Sequence, residues 1–108
     1  MLDALNPNAW DKADRALDAL RMVLDPELGI NIVDLGLVYD IIVDDRTIEV
    51  EMTLTSPACP LSDRLTHDVT AALRLTLPEV IDVRVNFVWQ PAWDPMMMSP
   101  AARSLLGW

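Results

Sequence analysis

Residues 35–55 read LGLVYDIIVDDRTIEVEMTLT, and this stretch decides the fold. From Thr47 to Thr55 the chain alternates strictly. Ile48, Val50, Met52 and Leu54 fall on one side, and Glu49, Glu51 and Thr53 on the other. A period of two with one polar face predicts a half-exposed strand over 47–55. Upstream, 37–43 is a second run rich in β-branched residues, and Asp44-Asp45-Arg46 between them is a turn. The two strands therefore pair as an antiparallel hairpin.

The flanks of this hairpin are helical. Asn6-Pro7 reads as a cap followed by proline at the first helical position. Trp10, Ala13, Leu17, Leu20 and Leu24 then form one amphipathic stripe, which predicts a helix over 7–24. Pro26 ends it, because proline disfavours helical geometry in the residue before it. Residues 26–36 form a loop. A second helix is predicted over 60–77, with the stripe Leu61, Leu65, Val69, Ala72, Leu73 and Thr76, and Pro78 as its stop. A third strand follows over 80–89, where Ile81, Val83, Val85, Phe87 and Trp89 alternate with Asp82, Arg84, Asn86 and Val88. The tail 90–108 is irregular. Ser99 as cap, Pro100 and the glycine stop Gly107 predict a short helix near its end.

The order is α-β-β-α-β. It predicts a single α+β domain over 1–108, a two-layer α/β sandwich with two helices on one face of a small mixed three-stranded sheet. The third strand follows a helical crossover, so it should run parallel to the second with a right-handed connection. Which strand it lies beside is not fixed by the sequence.

The 108 residues carry 17 Asp+Glu against 8 Lys+Arg, a formal net charge of −9. Such a chain has no electrostatic footprint for nucleic acid or anionic lipid. No apolar run approaches the length of about 20 residues that spans a membrane. No signal peptide is expected at the start. The single cysteine, Cys59, excludes an intramolecular disulfide and a zinc finger or cluster site built from one chain's thiols. One free thiol suits a reducing, cytoplasmic setting.

Cys59 lies between Pro57 and Pro60. With Pro60 as the first helical residue it would occupy the cap position, where unpaired N–H groups and the helix dipole favour a thiolate or an anion. Thr55 and Ser56 offer hydroxyls just before it. Free cysteine is more often a small buried apolar residue, but the loop and cap position favour function here. His67, the only histidine, lies eight residues on, opposite the apolar stripe and about 10 Å up the helix. It does not pair with Cys59, and a thiol enzyme ranks last.

Asp25 and Glu27, with Asp34 further on, place carboxylates in the first loop. Such groups serve hard metals and acid–base chemistry. On chemistry alone the stronger reading is that Asp25 is a helix-end residue and that Asn31 and Asp34 bond the loop backbone. Trp89, Trp93 and Met96–Met98 make the tail rich in large soft side chains. They rank first as cover for the small sheet, then as a partner surface, then as soft-metal ligands.

Three stretches together resemble one family: DPELGINIVDLGLVYDI (25–41), MTLTSPACPLSD (52–63) and VWQPAWDPMMMSPAARSLLGW (88–108). They are similar to the SufT-like iron–sulfur assembly family. That family includes the phenylacetate-degradation protein PaaD and a eukaryotic targeting component of cytosolic iron–sulfur assembly. The resemblance runs from about Leu17 to Trp108 and is closer to the short SUF-associated members than to PaaD. It implies an auxiliary factor in iron–sulfur protein maturation and not an enzyme. The family's cysteine matches Cys59, its acidic pair Asp25 and Glu27, and its hydroxyl residues Thr55 and Ser56. The implied cargo is transient iron or an iron–sulfur cluster, with Cys59 as the metal ligand. The implied partners are the assembly machinery and client apoproteins, with a homodimer as one source of further ligands. The alternative is an adaptor that binds no metal and only docks proteins.

Overall fold

The structure is a computed structural model that describes residues 7–55 and 61–107, with side chains from Lys12 onward in the first helix. The element order is α1 (Pro7–Leu20), β1 (Val38–Val43), β2 (Thr47–Met52), α2 (Ser62–Thr76), β3 (Asp82–Phe87), a single 3₁₀ turn (Pro95–Met97) and α3 (Pro100–Leu106). This is the α+β arrangement expected. β1 pairs antiparallel with β2, and β2 pairs parallel with β3, so the order across the sheet is β1-β2-β3. The central strand is therefore the one whose alternation was strictest. Its inward residues Ile48, Val50, Met52 and, just beyond the strand, Leu54 are all buried.

α1 and α2 pack on each other, α1 against β1 and α2 against β3. The stripe of α2 behaves as its spacing requires: Leu65, Val69 and Leu73 are buried. Arg15 ties the helices at the far end, donating to the Thr76 carbonyl at 2.8 Å and lying 3.6 Å from Glu79.

α1 departs from expectation. It ends at Leu20, not Leu24, and its buried residues are Ala16, Ala19 and Leu20, with Val23 just past its end. Leu24 is 53% exposed. The reason is that Met22 and Val23 tighten onto Ala19 and Leu20 through three-residue backbone bonds. Leu24 then bridges Asn31, and a new turn starts at Asp25. Trp10 and Asn6 lie outside the described side chains.

The loop of residues 26–36 is more than a connection. Ile30, Ile32 and Leu35, with Leu37 at its exit, are buried in the core. The tail locks onto it. Trp93 donates its indole N–H to the Leu35 carbonyl at 2.8 Å, and the Ser99 N–H bonds the Asp34 carbonyl at 2.7 Å. Met98 and Ala102 are buried. Covering the domain is thus the role of Trp93 and Met98, while Met96 and Trp89 stay exposed. α3 has the ends read from sequence: the Ser99 side chain caps the Ala102 N–H, and Gly107 closes it in the left-handed conformation.

Candidate functional site

One end of the sheet leads to Thr55 and, through backbone bonds, to the loop of Asp25 and Glu27. β2 and the parallel β3 both finish there, and the antiparallel β1 begins there, with Val38 opposite Met52. The Thr53 N–H bonds the Leu37 carbonyl at 2.8 Å. Leu37 in turn bonds Ile32, and Ile32 bonds Val23. This chain of backbone bonds links the exit of β2 to the loop that holds Asp25 and Glu27.

Asp25 is 5% exposed, and its position follows from its bonds. Oδ1 accepts from the Glu27 N–H at 2.8 Å and from the Leu28 N–H at 3.1 Å. The Gly29 N–H bonds the Asp25 carbonyl at 2.7 Å, and Gly29 sits at φ 70°. Asp25-Pro26-Glu27-Leu28-Gly29 is therefore one capped helical turn: aspartate as cap, proline at the first position, glycine as left-handed stop. Asp25 is not the end of α1 but the start of this turn. One of its oxygens is committed to the backbone, a role the helix-end reading did not give it. Glu27, by contrast, is exposed. Among the described residues no hydrogen bond or ion pair holds its carboxylate, and none joins either residue to Thr55. Asn31 and Asp34 bond each other, Nδ2 to Oδ2 at 2.8 Å, and the Asp34 N–H bonds Asn31 Oδ1 at 2.9 Å.

Thr55 is half-buried just past β2. Ser56 and Cys59 lie outside the described residues. α2 is described from Ser62, with Leu61 in the cap place and no side-chain cap bond. The Leu65 N–H bonds the Leu61 carbonyl at 2.9 Å. Leu61 stands in the cap place of the helix as described, and the expected start at Pro60 with Cys59 as its cap lies outside the described residues. His67 is exposed on α2, as read.

Thr53 is a residue the alternation misplaced. It was assigned to the polar outer side but is 1% exposed, and among the described residues its Oγ1 has no hydrogen-bond partner. It lies beyond the last residue of β2, where the sheet no longer sets which side faces water. A buried hydroxyl without a partner costs about 1–3 kcal/mol, and no sequence signal marked it.

Among the described residues no group of three or more His, Cys, Asp or Glu side chains could hold a metal ion. No helix there is long and apolar enough to cross a membrane. Among the described residues the geometry thus offers the exposed carboxylate of Glu27 on the Asp25 turn and, just past the end of β2, the half-buried Thr55.

Comparison with known proteins places this arrangement. The chain is 49% identical over 87 residues to the Fe-S protein maturation auxiliary factor SufT of Staphylococcus aureus, covering 80% of this chain and 98% of that one. It is 46% identical over 95 residues to the Fe-S protein maturation auxiliary factor YitW of Bacillus subtilis, covering 87% and 92%. The crystal structure of a domain of unknown function, DUF59, from Bacillus anthracis superposes with a TM-score of 0.89 at 39% identity, covering 93% of this chain and 95% of that one. A family model described as iron-sulfur cluster assembly protein matches residues 13–87, from mid-α1 through the last residue of β3. The chain belongs to the iron–sulfur cluster assembly protein family.

Proposed function

We propose that this protein is an auxiliary factor in iron–sulfur protein maturation that holds iron or a cluster transiently through Cys59 and passes it to client apoproteins. Support comes first from relatives named as maturation auxiliary factors, matched over nearly their whole length. Those names describe helpers and not enzymes. The observation that carries the reading is topological: β2 leads through Thr55 directly into the Cys59 stretch, at the sheet end where the Asp25 turn also lies.

In this reading the Cys59 thiolate is the iron ligand. Thr55 and Ser56 supply hydroxyls to the sulfur or the cargo, and Glu27 supplies an exposed carboxylate. Asp25 acts at one remove, by holding the turn that presents Glu27. Cluster irons take four protein ligands in total, so one thiol per chain makes the site incomplete. Client thiols, small thiols or a second copy complete it. An incomplete site releases its cargo readily, which suits a donor. The setting is the cytoplasm, where a lone thiol stays reduced, and the partners are the assembly machinery and clients.

The test is anaerobic loading with iron and sulfide, wild type against Cys59→Ser, read by native mass spectrometry. Iron bound by wild type and lost in Cys59→Ser is the expected result. Iron-free protein in both samples would overturn metal holding and leave a docking adaptor.

A further inference from the structure

The sheet has two edges, and they are treated differently. β1 is blunted. Its pairing with β2 shifts register between Val38 and Asp40, which leaves Tyr39 as an extra residue. The Asp40 carboxylate also bonds the Ile41 N–H at 2.9 Å. Both devices discourage a further strand.

β3 has neither. Its register with β2 runs unbroken from Thr47↔Asp82 to Met52↔Phe87, and it contains no proline. The Val88 N–H bonds the Met52 carbonyl at 2.8 Å. By alternation, Val83 and Val85 therefore turn their N–H and C=O groups away from β2. Among the described residues, nothing bonds those groups. Ile81, at the start of this edge, is 64% exposed.

The edge is also self-complementary in charge. The chain carries −9 overall, which opposes contact with a copy at most surfaces. On β3, Asp82 and Arg84 already balance each other at 3.1 Å. An antiparallel copy with its two-fold axis at Val83 sets Asp82 opposite the copy's Arg84, and Arg84 opposite its Asp82. The same register sets Ile81 opposite Val85 and lets the two Val83 residues exchange backbone bonds.

We propose that β3 pairs antiparallel with β3 of a second copy, about Val83, to form a continuous six-stranded sheet. The contact is short, so the dimer is weak, in the micromolar range or above. In this geometry the site-bearing ends point apart. Phe87 of one copy lies about 26 Å from its counterpart, eight residue steps along the ladder. This dimer therefore leaves two separate donor sites and does not join two Cys59 thiols.

Sedimentation equilibrium of the full chain, from micromolar to near-millimolar concentration, tests this. Wild type should dimerise. Arg84→Glu and Asp82→Arg each place like charges in both cross-strand pairs and should weaken the dimer about tenfold or more. Their side chains are 71% exposed at Arg84 and 45% at Asp82, and circular dichroism confirms that the variants fold. Mixing Arg84→Glu with Asp82→Arg restores every opposite-charge pair, so the mixture should dimerise again. A wild type that stays monomeric, a dimer that Arg84→Glu leaves unchanged, or a mixture that does not re-form it would each overturn the pairing.

Discussion

Replacing Asp25 by alanine separates a residue that builds the site from one that touches the cargo. The carboxylate accepts two backbone N–H bonds and is almost wholly buried. Losing a cap of this kind costs about 0.5–2 kcal/mol, and bonds to a charged acceptor lie at the upper end of the scale. Water can reach the freed Glu27 N–H, since Glu27 is exposed, which limits the penalty. The expected loss is therefore about 2 kcal/mol. With an unfolding entropy of roughly 2.1 cal/mol/K per residue over 108 residues, that is about 9 °C in Tm. Asp25→Asn keeps an acceptor oxygen in place and should lose about half as much. Urea titration and calorimetry measure both variants, and iron loading at a temperature where each is folded measures the site. The expected pattern is loading that falls with stability, Asp25→Ala more than Asp25→Asn. Asp25→Ala with wild-type stability and no loading would refute the turn as the residue's role and make the carboxylate a direct ligand.

Gly36→Ala should cost about 2–5 kcal/mol, because Gly36 sits at φ 76° and an added Cβ would meet the Met97 carbonyl, 2.7 Å from its carbon. Tryptophan fluorescence should shift as Trp93 leaves Leu35, and an unshifted spectrum with wild-type stability would show that the tail does not pack there. Thr53→Val removes a buried hydroxyl that has no partner among the described residues, so the variant should gain about 1 kcal/mol, measured by urea titration. A loss instead would mean that the hydroxyl is bonded in solution.

The sheet and α2 were legible because burial on one face writes itself into spacing. Ile48, Val50 and Met52 had to alternate, and Leu65, Val69 and Leu73 had to recur at helical steps. The cap, proline and glycine of α3 were legible because each has a local backbone reason. The end of α1 was not. Leu24 continues the helical spacing, yet it serves a bridge to Asn31, a contact outside any periodic element. Nor did spacing show that Ile30, Ile32 and Leu35 were core, since a loop has no period to reveal its inward side. The placement of β3 beside β2 was open for a related reason: crossover chirality fixes direction but not neighbour. At the candidate site, residue types pointed to Asp25, Glu27 and Thr55, but only the structure distinguishes the committed carboxylate from the free one.

That distinction bears on how a small acidic domain could hold a cargo and still release it. A buried charged group is tolerable when its bonds are satisfied, and Asp25 meets this by capping its own turn. The turn is stiffened by Pro26 and closed by Gly29, so Glu27 is carried on a fixed support while its own carboxylate stays free. The loop beyond it is held from two sides, by the core through Ile32 and Leu35, and by the tail through Trp93 and Ser99. The frame thus presents Glu27 at its surface. Under the function proposed above, one thiol and one carboxylate per chain leave the ligand set for a cluster incomplete, so partners supply the rest and the cargo stays releasable.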